Sequence, residues 1–328
     1  MIYNFCTLFD RNYAYQGIAL YNSLLENYSD WQIFILCLDE ETYSLLTKLK
    51  LEKARLIKLS DIEDEKLLKA KSNRSKGEYC WTLASVFTYY LLKKHPELEN
   101  IAYLDSDIYF YSSPAPIYEE LANDSVLIIK HNYPKQLQYL EKNGIYNVAM
   151  VIFKNNPEGL SCLKWWQDEV LKWCYNKCED GKFGDQAYLD DWTTRFKGVH
   201  VLNHVGGDVA PWNLGKYEIS VENEKIKINN QDLIFFHFHT FKIISENKFQ
   251  LHSSFYSFNK KIEGWIYSPY IKEIKDIIKK TKEVDAAFNY GYRTGESILD
   301  MLKQKAKKLL VIIYFSHKKY GSSEKNKE

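Results

Sequence analysis

Two hydrophobic patterns alternate along the first 59 residues of this 328-residue chain. An apolar, β-prone stretch occurs at 1–9, a continuous apolar run typical of a buried strand at 33–38, and a short strand candidate at 55–59. Apolar residues at helical spacing separate them at 16–27 and 40–50. Parallel strands need a crossover connection, which is usually a helix. The alternation therefore predicts an α/β fold whose mixed, mainly parallel sheet is flanked by helices.

The same two patterns continue through the rest of the chain. Predicted helices cover 78–94 and 160–178, and the pattern from about Pro269 onward is again helical. Residues 60–76 are polar and predict a loop or a solvated helix. Further strands are predicted at 101–104, 125–129 and 147–153, with a β-prone run at 233–241.

Composition excludes several classes of protein. With 45% hydrophobic residues, 27% charged residues and a net charge of +1, the chain is typical of a globular protein and not of a general nucleic-acid binder. Aromatic residues make up 16% of it, which suits both core packing and stacking on sugars or nucleobases. The six cysteines form no Cys-x-x-Cys pair, so we expect reduced thiols in a cytoplasmic protein rather than a zinc site.

The sequence indicates no membrane-spanning segment, but its basic end could lie on a membrane. The N-terminus is not typical of a signal peptide, and the apolar run Leu309–Phe315 is too short to span a bilayer. Residues 303–328 contain eight lysines and two glutamates, and lysines flank that run on both sides. We therefore expect either peripheral contact with the inner face of the cytoplasmic membrane or burial of the run against the rest of the protein.

The residues with the clearest chemical signal are Asp105-Ser106-Asp107, which directly follow the predicted strand at 101–104. Ligands of open α/β sheets bind outside the carboxyl ends of the strands. Two carboxylates at this spacing can bind one hard divalent cation, which in turn binds substrate phosphates. The alternative is an ordinary turn, because Asp and Ser are both good turn residues.

Several stretches follow one another in an order that resembles a known family. They are 7–13 and 19–24 near the N-terminus, 103–108 with Ser113-Pro114, and then 146–151, 184–186 and 237–242. Together they resemble the GT-A glycosyltransferases, most closely the retaining family 8 that includes lipooligosaccharide galactosyltransferases and glycogenin. The chain departs from that pattern at Val148 and Ala149, which replace Ser and Gly, and its last stretch lacks a glycine and is one residue shorter.

The resemblance implies a Rossmann-like GT-A fold, a manganese or magnesium ion, and a nucleotide-sugar donor, expected to be a UDP-sugar. It implies metal ligands at Asp105, Asp107 and His237; His239 would lie on the same strand face and is the alternative third ligand. Asn147, Asp185 and Gln186 match residues around the donor sugar. The residues expected to bind the donor nucleotide or its phosphates are Thr7, Asp10, Tyr13, Tyr15, Lys76, Asp105, Ser106 and Lys242.

The segment 204–213 is a candidate substrate loop, because Gly206-Gly207 permits tight backbone geometry and Trp212 offers a stacking face. Its candidate acceptor-binding residues are Asp208, Trp212 and Asn213. The resemblance implies a retaining, same-face transfer that has no strong nucleophile and is assisted by the leaving phosphate, whereas an inverting transfer needs a carboxylate base on the acceptor hydroxyl. The candidates for that base are Asp190, Asp191 and Asp208.

We therefore expect a GT-A catalytic domain at 1–265, with a nucleotide-binding half at about 1–110 and an acceptor and metal half at about 111–265, and a helical basic extension at 266–328. The expected function is metal-dependent transfer of a sugar to a glycan in the synthesis of a cell-surface polysaccharide or lipopolysaccharide. Two alternatives remain: a HAD-type phosphatase with the acidic pair as its nucleophile motif, and a non-catalytic protein that binds nucleotides or carbohydrates.

Overall fold

A computed structural model describes residues 2–256 and 258–321, without the side chains of residues 311–321. The strands are β1 (Tyr3–Phe9), β2 (Trp31–Cys37), β3 (Ala54–Lys58), β4 (Asn100–Leu104), β5 (Ile108–Phe110), β6 (Val126–Lys130), β7 (Tyr146–Lys154), β8 (Val199–Val201), β9 (Ile219–Glu222), β10 (Lys225–Ile228), β11 (Gln231–Asp232), β12 (Phe235–His237), β13 (Lys242–Ser245) and β14 (Lys248–Gln250). The helices are α1 (Ala14–Asn27), α2 (Glu40–Leu49), α3 (Glu65–Ser72), α4 (Lys76–Lys94), α5 (Ala115–Leu121), α6 (Pro157–Lys172), α7 (Trp192–Arg195), α8 (Lys260–Val284) and α9 (Ile298–Gly321).

The core of the fold is a seven-stranded sheet in the order β3-β2-β1-β4-β7-β6-β8. Strands β3, β2, β1 and β4 run parallel to one another, while β7 is antiparallel to both of its neighbours. This arrangement confirms the prediction of a mixed, mainly parallel sheet. The carboxyl ends of β1 and β4 are adjacent, because Phe5 pairs with Ala102 and Cys6 with Tyr103.

Both faces of the sheet are buried under helices. Alternate residues of β1 point to opposite faces, so Phe5 packs in the cluster that includes α1 and α8, and Cys6 packs in the cluster that includes α4 and α6. Burial on both faces explains why β1 and β2 are continuous apolar runs in the sequence. The predicted boundary between residues 265 and 266 lies within α8, whose buried residues Ile274 and Ile277 belong to the first of these clusters.

Two helix predictions need correction. Helix α6 ends at Lys172 rather than 178, because the backbone is extended at Trp173, whose N–H still donates to Glu169. Helix α8 begins at Lys260, nine residues before the predicted start at about Pro269, and it contains that proline. Pro269 is solvent-exposed, so the carbonyl that its ring leaves without a donor can bond to water.

Helix α4 begins with a capping box formed by Ser75 and Glu78.

The C-terminal part of the described chain is the helix α9. Among the described residues, none of the helices is long and apolar enough to cross a membrane. Leu309 and Leu310 of the predicted apolar run are exposed. The side chains of residues 311–315, in the remainder of that run, and the whole of residues 322–328 lie outside the described part of the chain. All six cysteines are free.

Candidate functional site

Asp105 and Asp107 lie in the turn that joins β4 to β5, at the carboxyl edge of the central sheet. The backbone N–H of Asp105 donates to Ala149 of the neighbouring strand β7 at 2.9 Å. The hydroxyl of Tyr103 donates to the Asp105 carboxylate at 3.0 Å. The turn is therefore held from both sides, with the two carboxylates beyond the strand end as the sequence predicted.

His237 reaches the same turn through a second, two-stranded sheet. Strand β12 pairs antiparallel with β5, and His237 is the register partner of Ile108, directly after Asp107. Its Nε2 lies 3.2 Å from Asp107 Oδ1 and 4.0 Å from Asp105 Oδ2. Among the described side chains, Asp105, Asp107 and His237 form the cluster that could hold a metal ion, with ligand atoms within 4.8 Å of one another.

A buried acid stands on the far side of this histidine. Asp208 Oδ1 lies 3.5 Å from His237 Nδ1, and neither atom has a hydrogen-bond partner in the described structure. Asn147 donates to the other oxygen of Asp208 at 2.7 Å. A carboxylate behind a metal-binding imidazole orients the ring and raises its basicity. The sequence placed Asp208 on the acceptor and Asn147 on the donor sugar; the geometry places both behind His237, and Asn147 also lines the site cavity.

The three candidate ligands suit a hard divalent cation. Two carboxylates and one imidazole are suitable ligands for Mn²⁺, and they leave coordination positions for phosphate oxygens and water. Asp208 Oδ1 and His237 Nδ1 are both buried without a hydrogen-bond partner, and they face each other. This fits an imidazole that directs Nε2 to the cation and its Nδ1–H to the Asp208 carboxylate. His239 is outside the cluster, with its ring centroid 5.9 Å from that of His237.

Burial and mutual charge determine how these groups titrate. Burial raises the pKa of Asp105 to about 6, although the charge of His237 opposes this shift. Burial also acts to raise the pKa of Asp107, but His237 outweighs it and holds that pKa below the usual value. For His237, burial lowers the pKa, whereas Asp107 and Asp208 raise it well above the usual value. Burial lowers the pKa of His239 to about 4, so this ring is neutral at pH 7.

The cluster opens into a cavity of about 810 Å³. That volume lies within the range of pockets that bind small molecules, roughly 300–1,000 Å³. Most of the site residues predicted from the sequence line it: Asp10, Tyr13, Lys76, Asp105, Ser106, Asp107, Asn147, Asp185, Gln186, Trp212, His237 and His239. These predicted residues come from distant parts of the chain, and the fold brings them to the wall of one cavity.

The end of the cavity beside β1 carries charged groups. Asp10 follows β1 and pairs with Lys76 at the start of α4. Burial acts to raise the pKa of Asp10, but hydrogen bonds from Lys76 and Asn12 hold it below the usual value. Burial and the charge of Asp107 raise the pKa of Tyr13, while Arg293 lowers it. Tyr13 is thus close to both the acidic cluster and the arginine.

Asp185 and Gln186 line the cavity from the segment after α6. The Asp185 carbonyl accepts a hydrogen bond from the indole N–H of Trp166 at 2.9 Å, which ties the segment to the core. Burial, with the nearby charge of Asp105, raises the pKa of Asp185 well above the usual carboxyl range. The Gln186 amide donates to the Asn143 carbonyl at 2.6 Å.

Aromatic residues line another part of the cavity. The Trp212 ring lies 5.2 Å from His237 and 5.4 Å from His239, and its indole N–H donates to the His131 carbonyl at 2.9 Å. Tyr133 and Tyr256 line the same region, and no sequence pattern had indicated either of them. A β-carbon on Gly206 would lie 1.9 Å from the Asp232 carbonyl, so the expected tight loop geometry depends on this glycine.

Five predicted site residues do not line the cavity. Thr7 and Tyr15 are buried in the core, and Asn213 donates to the carbonyls of His131 and Asp208. Asp208 stands behind His237, as described above. The Lys242 ammonium donates to the Thr294 carbonyl at 3.4 Å. A residue that sequence reasoning missed, Arg293, lines the cavity instead.

Comparisons with known proteins place the chain in a family. No family model matches it. It is 34% identical to YfnF of Bacillus subtilis (strain 168) over 294 residues, which cover 87% of this chain and 96% of YfnF. It is 30% identical to YfnD of the same organism over 301 residues, covering 91% and 97%. The chain belongs to the family of YfnF and YfnD. Both of these relatives are described as uncharacterized.

The fold has a counterpart among solved structures. The apo form of the glycosyltransferase GlyE from Streptococcus pneumoniae TIGR4 matches with a TM-score of 0.51 and 15% identity. The match covers 87% of this chain and 64% of that chain. The similarity confirms the predicted GT-A fold of this chain.

We expect the Mn²⁺ affinity of this site to rise with pH. Metal binding requires Asp105 and His237 to be unprotonated, and the pKa of Asp105 is about 6 while that of His237 is raised well above its usual value. Below those pKa values the affinity should fall by about tenfold per pH unit for each competing proton. Electron paramagnetic resonance titration of Mn²⁺ between about pH 5.5 and 8 measures this dependence.

The matched control is His239→Gln, because His239 is already neutral in this range and should leave the pH profile unchanged. Calorimetry in buffers of different ionisation enthalpy should show proton release on metal binding. A Mn²⁺ affinity that stays constant from about pH 5.5 to 7.5 would contradict the assignment of these ligands.

Proposed function

We propose that this protein is a metal-dependent glycosyltransferase that moves a sugar from a nucleoside diphosphate donor, expected to be a UDP-sugar, to a hydroxyl of a glycan. The observation that supports this most is a single cavity that joins the Asp105–Asp107–His237 cluster to the carboxyl ends of β1 and β4. Its size suits a donor and part of an acceptor. The shared fold with GlyE adds support.

In the proposed reaction, the bond between the anomeric carbon and the diphosphate oxygen breaks, and the oxygen keeps the electron pair. The acceptor hydroxyl oxygen bonds to the anomeric carbon, and its proton passes to the leaving diphosphate. A divalent cation bound by Asp105, Asp107 and His237 would neutralise charge on that diphosphate. Gln186 and Asp185 would contact the donor sugar, and a protonated Asp185 could donate a hydrogen bond to it.

The carboxylates of the cavity favour transfer with retention. Among the described residues, the acids that line it are Asp10, which is paired with Lys76, the two metal-site aspartates, and Asp185. Burial favours the neutral form of Asp185 and so raises its pKa, whereas only the ionised form could take the proton of the acceptor hydroxyl. The three aspartates considered as bases for inversion are occupied elsewhere: Asp190 accepts from the Ile145 N–H, Asp191 pairs with Arg195, and Asp208 faces His237.

The experiment that tests this function is donor hydrolysis. Nucleotide sugars with each of the common bases are incubated with the protein and Mn²⁺, and the released nucleoside diphosphate is separated by chromatography. We expect release from one donor class, and none after chelation of the metal. Release of phosphate from p-nitrophenyl phosphate without cleavage of any nucleotide sugar would favour the phosphatase alternative and contradict the proposal.

We further propose that the enzyme acts on a cell-surface polysaccharide or lipopolysaccharide precursor at the inner face of the cytoplasmic membrane, with α9 in contact with lipid. The residues Ile298, Leu299, Leu302, Leu309 and Leu310 are between 58% and 78% exposed. At helical spacing they lie within about 120° of the helix circumference. Lysines flank this face, so the helix suits the surface of an anionic bilayer.

Removal of residues 303–328 is expected to abolish sedimentation with vesicles that contain anionic phospholipid, while hydrolysis of the soluble donor continues. The reason is that this segment carries Leu309 and Leu310 of the apolar face and all eight lysines of the basic end, so the truncation removes the lysine attraction and part of the apolar burial. Vesicles of neutral phosphatidylcholine serve as the control and should bind the full chain weakly. Unchanged sedimentation of the shortened protein would contradict the membrane proposal and leave the catalytic one intact.

A further inference from the structure

The chain returns to the cavity after α8, in the segment 291–293. Tyr292 forms a parallel bridge with Ile243 of β13, and the Arg293 N–H donates to the Ile243 carbonyl at 2.8 Å. Gly291 has φ of +86°, and a β-carbon there would lie 2.7 Å from the Tyr15 ring. The segment is therefore fixed by backbone pairing on one side and by close packing against α1 on the other.

This backbone directs the Arg293 side chain to the nucleotide end of the cavity. The guanidinium carbon lies 3.7 Å from the centroid of the Tyr13 ring, and Nη2 is 3.5 Å from the Asn12 carbonyl. An arginine that stacks on an aromatic ring keeps the N–H groups at the edge of its plane available. Within the part of the chain whose side chains are described, Arg293 makes no ion pair with a carboxylate.

The neighbouring lysines are less available for an anion. Lys76 also lines the cavity, but it is paired with Asp10. Lys242, the residue that the family resemblance assigned to the diphosphate, does not line it, and its ammonium donates to the Thr294 carbonyl. Arg293 is adjacent to this lysine across the β13 pairing, because it bonds to Ile243. An arginine thus occupies the cavity where a lysine was expected.

We propose that Arg293 binds the diphosphate of the nucleotide-sugar donor, in the role that the resemblance assigns to Lys242. This inference rests on the proposed function. A guanidinium can form two parallel hydrogen bonds to phosphate oxygens and remains charged at all physiological pH values. When the anomeric carbon–oxygen bond breaks, the electron pair stays on the phosphate oxygen, and Arg293 stabilises the charge that results.

The test compares a nucleoside diphosphate with its phosphate-free nucleoside on the full chain. UDP, ADP, GDP and CDP are titrated into the wild type with Mn²⁺ by calorimetry, and the tightest is then compared with its nucleoside. Arg293→Ala is expected to weaken diphosphate binding by about 10- to 100-fold, and nucleoside binding by less than about threefold. A purely structural role for the arginine would weaken both ligands by the same factor.

Two further variants make the result specific. Arg293→Gln removes the charge but keeps most of the side chain that covers Tyr13. It should show the same loss of diphosphate binding, and it replaces Arg293→Ala if that variant folds poorly. Arg195→Ala is the matched control, because Arg195 also stacks on an aromatic ring, 4.4 Å from the Trp165 centroid, but does not line the cavity. It should bind the diphosphate as the wild type does.

Each outcome separates this inference from the function on which it rests. If the wild type binds no nucleoside diphosphate with Mn²⁺, the proposed function and the inference both fail. If the wild type binds one and both Arg293 variants keep the same preference over the nucleoside, the inference alone fails. Loss of that preference in Lys242→Ala, with Arg293→Ala unaffected, would return the role to the lysine and also overturn the inference.

Discussion

Replacement of Asp107 by alanine is expected to lower Mn²⁺-dependent hydrolysis of the donor at least about a thousandfold, since a catalytic metal supplies several kcal/mol of charge stabilisation. Asp107 is the carboxylate closest to His237, with Oδ1 3.2 Å from Nε2. His237 lowers the pKa of Asp107, so the Asp107 carboxylate stays ionised. Removal of this carboxylate takes away one of the three metal ligands, and the acids that remain near His237 are Asp208 and Asp105. The Mn²⁺ signal measured by electron paramagnetic resonance should therefore weaken in parallel with activity.

Two other variants make this result interpretable. Asp107→Asn keeps the size of the side chain, so a similar loss would exclude a packing defect as the cause. Asp168→Ala removes an exposed acid of α6 whose partner is Lys164, and it should behave as the wild type. Hydrolysis within about tenfold of the wild type in both Asp107 variants would rule out the metal cluster as the centre of the reaction.

Replacement of Trp166 by alanine is expected to lower the free energy of unfolding by about 3–5 kcal/mol, the usual cost of truncating a buried large aromatic residue. Trp166 is completely buried in α6, and its ring packs 6.2 Å from Phe153 and 5.6 Å from Trp192. Its indole N–H donates to the Asp185 carbonyl, so the variant also leaves a buried acceptor without a partner. Urea unfolding, followed by fluorescence and circular dichroism, measures the change.

The matched substitutions separate packing from hydrogen bonding. Trp166→Phe keeps an aromatic ring and loses the donor, so it should cost less than the alanine variant, on the order of 1–3 kcal/mol. Trp265→Ala removes a half-buried tryptophan of α8 and should also cost less. An unfolding midpoint of Trp166→Ala equal to that of the wild type would contradict the description of this core.

The sequence predicted the half of the fold that depends on local pattern. Strands buried on both faces, such as β1, leave continuous apolar runs, and the helices between them leave an apolar stripe, so α1 and α2 were predictable. Helix ends were less so. The tryptophans continue past Lys172 without a glycine or proline, and nothing local marks the end of α6 there. The isoleucine face at 271–278 indicated a helix only from about Pro269, whereas α8 begins at Lys260 and contains this proline at an exposed position.

Some residues of the site had a local signal in the sequence, and others depend on contacts between distant parts of the chain. Asp105 and Asp107 were identified by their place after a strand, which is a local signal. The contact of Asp107 with His237 depends on pairing between β5 and β12, far apart in the chain, and only the family resemblance indicated it. Arg293 had no signal at all, since its position follows from the pairing of residue 292 with β13. Asp208 was predicted to be functional, but its contact with His237 depends on three-dimensional packing.

The proposed function requires the cavity to bind a nucleotide sugar together with a divalent cation. A thermal-shift screen of nucleotide sugars, with and without Mn²⁺, detects such binding, because a ligand that binds only the native state raises the unfolding temperature. We predict that one class of nucleotide sugar stabilises the wild type only when Mn²⁺ is present, and that Asp107→Ala loses this shift. Absence of a metal-dependent shift with every nucleotide sugar, or an equal shift in Asp107→Ala, would contradict binding of a nucleotide sugar through this metal site.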